Sequence, residues 1–135
     1  MSNLKLIKTG ATAFILLGIL HILAQTFGKP NDPLLDKLLL DMQNFKINLM
    51  GEHNLLKFHN GFSLMMGFLL SAFGIQNFLL AKEILNNKKA FLSILVISSI
   101  AFIIALLFFH ILAFGFIFIS LTCFTIAFIK NKSLK

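Results

Sequence analysis

The sequence contains no arginine, no tryptophan and no tyrosine, and only one cysteine, two prolines and five acidic residues among 135 positions. Each shortage excludes something. Without arginine there is no guanidinium fork for bidentate contact with phosphates or bases, so the net charge of +7, carried by lysine alone, does not describe a nucleic-acid binder. The lysines flank apolar runs instead of lining a polar face. Cys123 stands alone inside such a run, which rules out an intrachain disulfide and leaves a buried, inert thiol as the expected state. The missing Trp and Tyr are the rings that usually mark the two membrane interfaces, so that task falls to phenylalanine and to snorkelling lysines. The acids are few and lie mainly in one loop, so no Ser-His-Asp constellation is available.

What is present is apolar. Hydrophobic residues make up 58% of the chain, mean hydropathy is +0.90, and charged residues make up 13% where soluble domains carry about 25%. The first apolar run, about 9–27, approaches the roughly 20 residues needed to cross a hydrocarbon core. Lys5 and Lys8 precede it. It is long for a signal-peptide core and no Ala-x-Ala site follows, so a retained span is expected. Gly28 and Pro30 should stop this helix. Asn31 or Asp32 can cap the next, with Pro33 preset for its first turn.

Leu35, Leu38, Leu39 and Met42 then share a face opposite Asp36, Lys37 and Asp41, the pattern of a short amphipathic helix. It is expected to lie in the interface as a lid over the spans, or else to dock a partner or lipid. Phe45, Ile47 and Leu49 alternate with polar residues, which predicts an extended segment turned at Gly51.

A second span is expected over about 58–81, with a polar turn reaching back toward Glu52. Gly67, Ser71 and Gly74 lie on one side of it at a spacing that lets another helix backbone approach. Lys82 to Lys89 reads as a short loop. From Ala90 to Ile129 only His110 can carry charge, and one straight helix of that length would measure about 60 Å, twice a typical hydrocarbon thickness. The run must fold back, with a turn expected over 108–113 and spans over about 90–107 and 112–129. The predicted fold class is an all-α membrane protein, with four transmembrane helices in a bundle plus a short amphipathic helix in the first loop. It forms one membrane domain over 1–135, with the loop at about 28–57.

With four spans, eight lysines fall on the side of the two termini and four on the other side. The positive-inside rule then places both termini in the cytoplasm and the 28–57 loop outside. All four histidines thereby belong to the outer half of the molecule.

The polar residues gather at the entrance to span two, where Met50 to Gly67 carries Glu52, His53, Lys57, His59 and Asn60. If helical phase extends through Lys57, Glu52 and His59 share a face, seven residues apart. His21 lies in span one with Gln25 a turn further out. The candidate ligand-binding set is therefore His21, Gln25, Glu52, His59 and Asn60, since ionisable groups in membrane helices are costly.

Each member also has a purely structural use. His21 can donate to a backbone carbonyl or to Ser63 across a helix interface, and Asn60 can cap or bridge helices. His53 and His110 can be solvated loop residues, and Lys57 can snorkel. Transition-metal ligation by the histidines with Glu52 suits imidazole chemistry but lacks a tight ligand spacing. Haem ligation lacks Cys-x-x-Cys-His and histidines at equal depth. A third use is hydrogen bonding by His21 and His59 to the polar end of a lipid or quinone. The sequence assigns no catalytic residue, cofactor or metal ligand.

Taken together, Gly18-x-x-His21, Met50-Gly51 and Phe58-His59-Asn60-Gly61-Phe62 give a chain that resembles a family of small uncharacterised bacterial four-helix integral membrane proteins. The likeness covers nearly the whole length, including the long first loop and the nearly loopless final hairpin. In that family an Arg precedes span two and an acid lies just before the Phe, where this chain has His53 and Lys57. The resemblance implies a four-helix fold and supplies no activity; the expected location is a bacterial inner (plasma) membrane. DoxX-like and sterol-isomerase-related four-helix proteins share the span count without matching motifs.

The expected function is that of a non-enzymatic accessory or lipid-interacting membrane component. The alternative is an oxidoreductase-like or metal- or quinone-binding protein using the outer His/Glu cluster. Expected partners are the lipid bilayer and a second copy or another membrane protein, with no nucleic acid.

Overall fold

The computed structural model describes residues 1–28, 32–48 and 51–131, with Glu52 described by its backbone only. Pro30, Asn31, Leu49, Met50, Lys132 and Lys135, to which the sequence reading gave roles, lie outside the described residues.

Helix α1 runs over Asn3–Phe27, and Ser2 caps it by accepting from the Lys5 amide at 3.3 Å. Lys5 and Lys8 are thus inside the helix, which starts earlier than the apolar run because lysine is a good helix former. Gly28 ends it with extended backbone. Helix α2, Pro33–Asn44, is capped by Asp32, which accepts from the Leu34 amide at 2.9 Å, and Pro33 fills the first turn. Of its apolar stripe, Leu35, Leu39 and Met42 are half-buried, while Leu38 stays exposed. Strands β1, Lys46–Asn48, and β2, Glu52–Asn54, form a small antiparallel hairpin in which Ile47 faces His53. Gly51 makes its turn possible with φ of 138°, a conformation that side-chain-bearing residues rarely adopt.

Helix α3, Leu55–Leu79, starts with Asn54 accepting from the Lys57 amide at 2.8 Å. This corrects two expectations. The helix does not extend back to Glu52, which lies in β2, so the helical phase that would align Glu52 with His59 is absent. The expected loop over Lys82 to Lys89 is instead a short helix α4, Ala81–Asn86, with Ala81 and Ile84 buried, followed at once by α5. Asn87 caps α5, Lys88–Phe108, and Phe109 and His110 join it to α6, Ile111–Lys130.

Among the described residues, α1, α3, α5 and α6 are long and apolar enough to cross a membrane. Helix α1 makes the largest interfaces, with α3 and α6, and α5 packs on α6. Phe14 of α1 lies edge-on to Phe73 of α3, centroids 4.9 Å apart, and stacks on Phe124 of α6 at 6.5 Å. The Ser120 hydroxyl donates to the Gly10 carbonyl at 2.8 Å, where helices α1 and α6 meet. The Asn131 side chain donates to the Leu85 carbonyl at 2.7 Å and ties the end of α6 to α4.

Ile7, Ile84, Phe91 and Phe124 of this core lie toward the end of the molecule that carries α4 and the start of α1, while Ala105, Ala113 and Ile117 extend it between α5 and α6. Beyond Gly18 no residue of α1 is buried, and a cavity opens among the four long helices. The outward faces are apolar: Phe62, Phe68, Ile100, Leu106 and Phe118 are all more than half exposed.

Candidate functional site

The α1–α3 contact is made by backbone approach. A Cβ placed on Gly18 would lie 2.6 Å from the Ser71 amide nitrogen, and one on Gly74 would lie 2.7 Å from the Ala11 carbonyl oxygen. Hydrogen in place of a side chain is what permits the approach. The spacing of Gly67, Ser71 and Gly74 thus serves the packing expected of it.

Above this stripe the two helices are joined by polar side chains. His21 and Gln25 are four apart on α1, and Asn60 and Ser63 are three apart on α3, so each pair shares a helix face. His21 Nε2 lies 2.9 Å from Ser63 Oγ and 3.1 Å from the Ser63 carbonyl oxygen. Ser63 Oγ donates to Gln25 Oε1 at 3.2 Å, and Gln25 Nε2 donates to Asn60 Oδ1 at 2.9 Å.

The proton positions follow from what each atom can do. A carbonyl only accepts, so His21 Nε2 carries the hydrogen, and the Ser63 hydroxyl, whose own proton goes to Gln25, accepts from it. The polarity therefore runs His21 to Ser63 to Gln25 to Asn60. In the neutral ring, Nδ1 of His21 is then the acceptor.

That direction bears on chemistry. A serine nucleophile needs an imidazole nitrogen free to take its proton. Here the nitrogen facing Ser63 already holds one, and it also bonds a main-chain carbonyl. The bonds join α1 to α3, and with this proton placement Ser63 has no imidazole base.

The sequence-based set divides accordingly. His21, Gln25 and Asn60 come together, with Ser63 as the group that links them. His59 is exposed on α3 and stands outside the network, and the side chain of Glu52 lies outside the described residues. His53 is exposed beside a small polar hollow of about 240 Å³ shared with Gln43, Asn44 and Lys46. Among the described residues no three His, Cys, Asp or Glu side chains are grouped as a metal ion would need.

The residue that the sequence reading undervalued is His110. It is exposed at the turn, as a loop residue would be, and it also lines with His21 a cavity of about 350 Å³. Leu17, Leu20 and Ala24 of α1, Met66 and Leu70 of α3, Ala101 and Ile104 of α5, and Leu112, Ala113 and Ile117 of α6 form the rest of its wall with Phe109. Two imidazoles are thus set into an otherwise apolar lining, at a volume within the usual range of about 300–1,000 Å³ for small-molecule sites. The signal available in the sequence was the loopless turn, which holds His110 close to the ends of the spans.

Comparison of the chain with protein-family models, with curated proteins and with solved structures gave no match.

Proposed function

We propose that the chain is a four-span bundle in a bacterial inner membrane, with both termini cytoplasmic, and that it acts as a non-enzymatic, lipid-interacting component. In this reading a neutral amphiphile from the bilayer rests in the cavity beneath His21 and His110. The observation that carries it is the composition of the cavity wall, apolar on all four helices with imidazoles as its polar groups. The exposed apolar faces of the long helices support immersion in hydrocarbon, since a soluble chain rarely leaves such patches uncovered. The lysine distribution supports the orientation.

The hydrogen-bonding pattern favours one kind of head group. In this reading His21, its Nε2–H given to Ser63, turns Nδ1 to the cavity as an acceptor, which suits a hydroxyl-bearing lipid better than a quinone carbonyl. The redox alternative would have His110 as its one imidazole donor, so the geometry supports it less.

The test is to purify the full chain in mild detergent and identify retained lipid by mass spectrometry. A neutral hydroxyl-bearing amphiphile should accompany the native chain and be lost from Ala113→Phe, which fills the cavity, while His59→Ala retains it. Equal retention by Ala113→Phe and the native chain would overturn the reading, as would a native chain that carries no such molecule.

A further inference from the structure

We infer a second lipid site, distinct from the His21–His110 cavity, that holds one anionic phospholipid on the α1–α6 face at the opposite end of the molecule. A groove of about 480 Å³ runs along α1 there. Met1, Lys5 and Lys8 lie toward one end of it, Thr9, Thr12 and Ala13 follow along α1, and Leu16, Phe116 and Ile119 complete the wall. No acidic side chain among the described residues lines it, and the first turn of α1 contains none.

The dimensions match one leaflet. From Lys5 to Leu16 the helix rises about 16 Å at 1.5 Å per residue, close to half of a hydrocarbon core of roughly 30 Å. A phosphate held at the lysines would therefore sit at headgroup depth while its acyl chain follows α1 down to Leu16, Phe116 and Ile119. The Lys8 ammonium lies over the face of Phe78 of α3, 4.6 Å from the ring centroid, a contact outside the groove that it exchanges for the phosphate.

Charge complementarity selects the occupant. Cationic side chains at one end and an uncharged, apolar wall at the other match an anionic head joined to a chain, and basic pockets between membrane helices on the cytoplasmic side are known to take such head groups. A zwitterionic lipid gains less from two lysines, because its own cation is repelled. Free inorganic phosphate would use the lysines and leave the apolar half of the groove unexplained.

The inference rests on the transmembrane reading above, which a topology reporter tests separately. The experiment titrates the full chain in detergent with phosphatidylglycerol or phosphatidylcholine of equal chain length, and counts adducts by native mass spectrometry. Phosphatidylglycerol should bind severalfold more tightly. Combined Lys5→Gln and Lys8→Gln should weaken it roughly thirtyfold, about fivefold for each lysine lost. The control pair Lys88→Gln and Lys89→Gln, on exposed residues of α5, should leave it within about twofold.

Ile119→Trp, which fills the apolar half and keeps both charges, should weaken a long-chain lipid and spare a dihexanoyl one. Equal losses from the two lysine pairs would reduce the effect to general surface charge and overturn the site. Equal binding of the two lipid classes, or full displacement by millimolar inorganic phosphate, would overturn it as well.

Discussion

His21 Nε2 donates to Ser63 at 2.9 Å from Oγ and 3.1 Å from the main-chain oxygen, across an interface where glycine lets α1 and α3 come together. The bond joins residues 42 positions apart, so it reports tertiary packing and not helix formation. In a membrane such bonds contribute about 0.6 kcal/mol on average and up to about 1.7 kcal/mol. A double-mutant cycle of His21→Ala and Ser63→Ala, read by denaturant unfolding in detergent micelles, should return a coupling in that range. A coupling indistinguishable from zero would remove the fastening role.

Backbone approach sets a larger effect. Gly18→Ala would place its Cβ 2.6 Å from the Ser71 nitrogen, a main-chain atom that cannot swing aside. Overpacking of this kind should cost about 1–3 kcal/mol. Gly61→Ala and Gly115→Ala meet nothing within 4 Å, so the helix propensity of alanine should stabilise each by up to about 1 kcal/mol. Thermal unfolding of the three variants checks the contrast, and a stabilised Gly18→Ala would contradict the packing.

The same logic separates inward from outward phenylalanines. Phe124 is fully buried against Phe14, whereas Phe68 is 63% exposed on α3. Phe124→Ala should destabilise by about 3–5 kcal/mol. Phe68→Ala, on a face read as lipid-facing, should change unfolding by less than about 1 kcal/mol, since hydrocarbon replaces the ring's surroundings. Equal losses would show that the Phe68 face is covered by something besides lipid.

The orientation is open to a direct check. Reporter fusions at Lys135 and within the segment of α2, Pro33–Asn44, should give opposite activities, cytoplasmic for the first and extracytoplasmic for the second. The same activity at both positions would overturn the topology.

The number of long apolar helices and the final turn were legible because they follow from length. About 40 residues without a fixed charge cannot cross a hydrocarbon core once, and the only polar ionisable residue near their middle, His110, marks where α5 gives way to α6. The stripe of Gly67, Ser71 and Gly74 was legible from spacing, and so was Ser63 as a partner open to His21. What spacing cannot supply is register between distant helices. That Gly18 meets Ser71, or that His110 shares a cavity with His21, depends on how α1, α3 and α6 slide against one another.

Local misreadings have local causes. Lys82 and Glu83 made α4 look like a loop and hid the i, i+3 pair of Ala81 and Ile84 that the core takes up. Helical phase was extended to Glu52 across residues that pair as a hairpin, where Gly51 turns the chain and Asn54 caps the helix only afterwards.

His110 gives the sharpest test of the cavity, because it combines exposure at the chain turn with a place in the cavity wall. His53 is the natural control, an exposed imidazole that lines a separate polar hollow near the hairpin. Leucine preserves apolar volume while removing both ring nitrogens, so His110→Leu withdraws a hydrogen-bonding group from the cavity without enlarging it. Loss of one such bond to a neutral head group, about 0.5–1.5 kcal/mol, corresponds to roughly a two- to twelvefold weaker hold. The amount of neutral amphiphile that survives successive detergent washes should fall by that factor in His110→Leu and stay unchanged in His53→Leu. If both variants retain the native amount, the head group does not engage His110. If both lose it equally, the lipid is held by the outer surface of the molecule and the cavity is not its site.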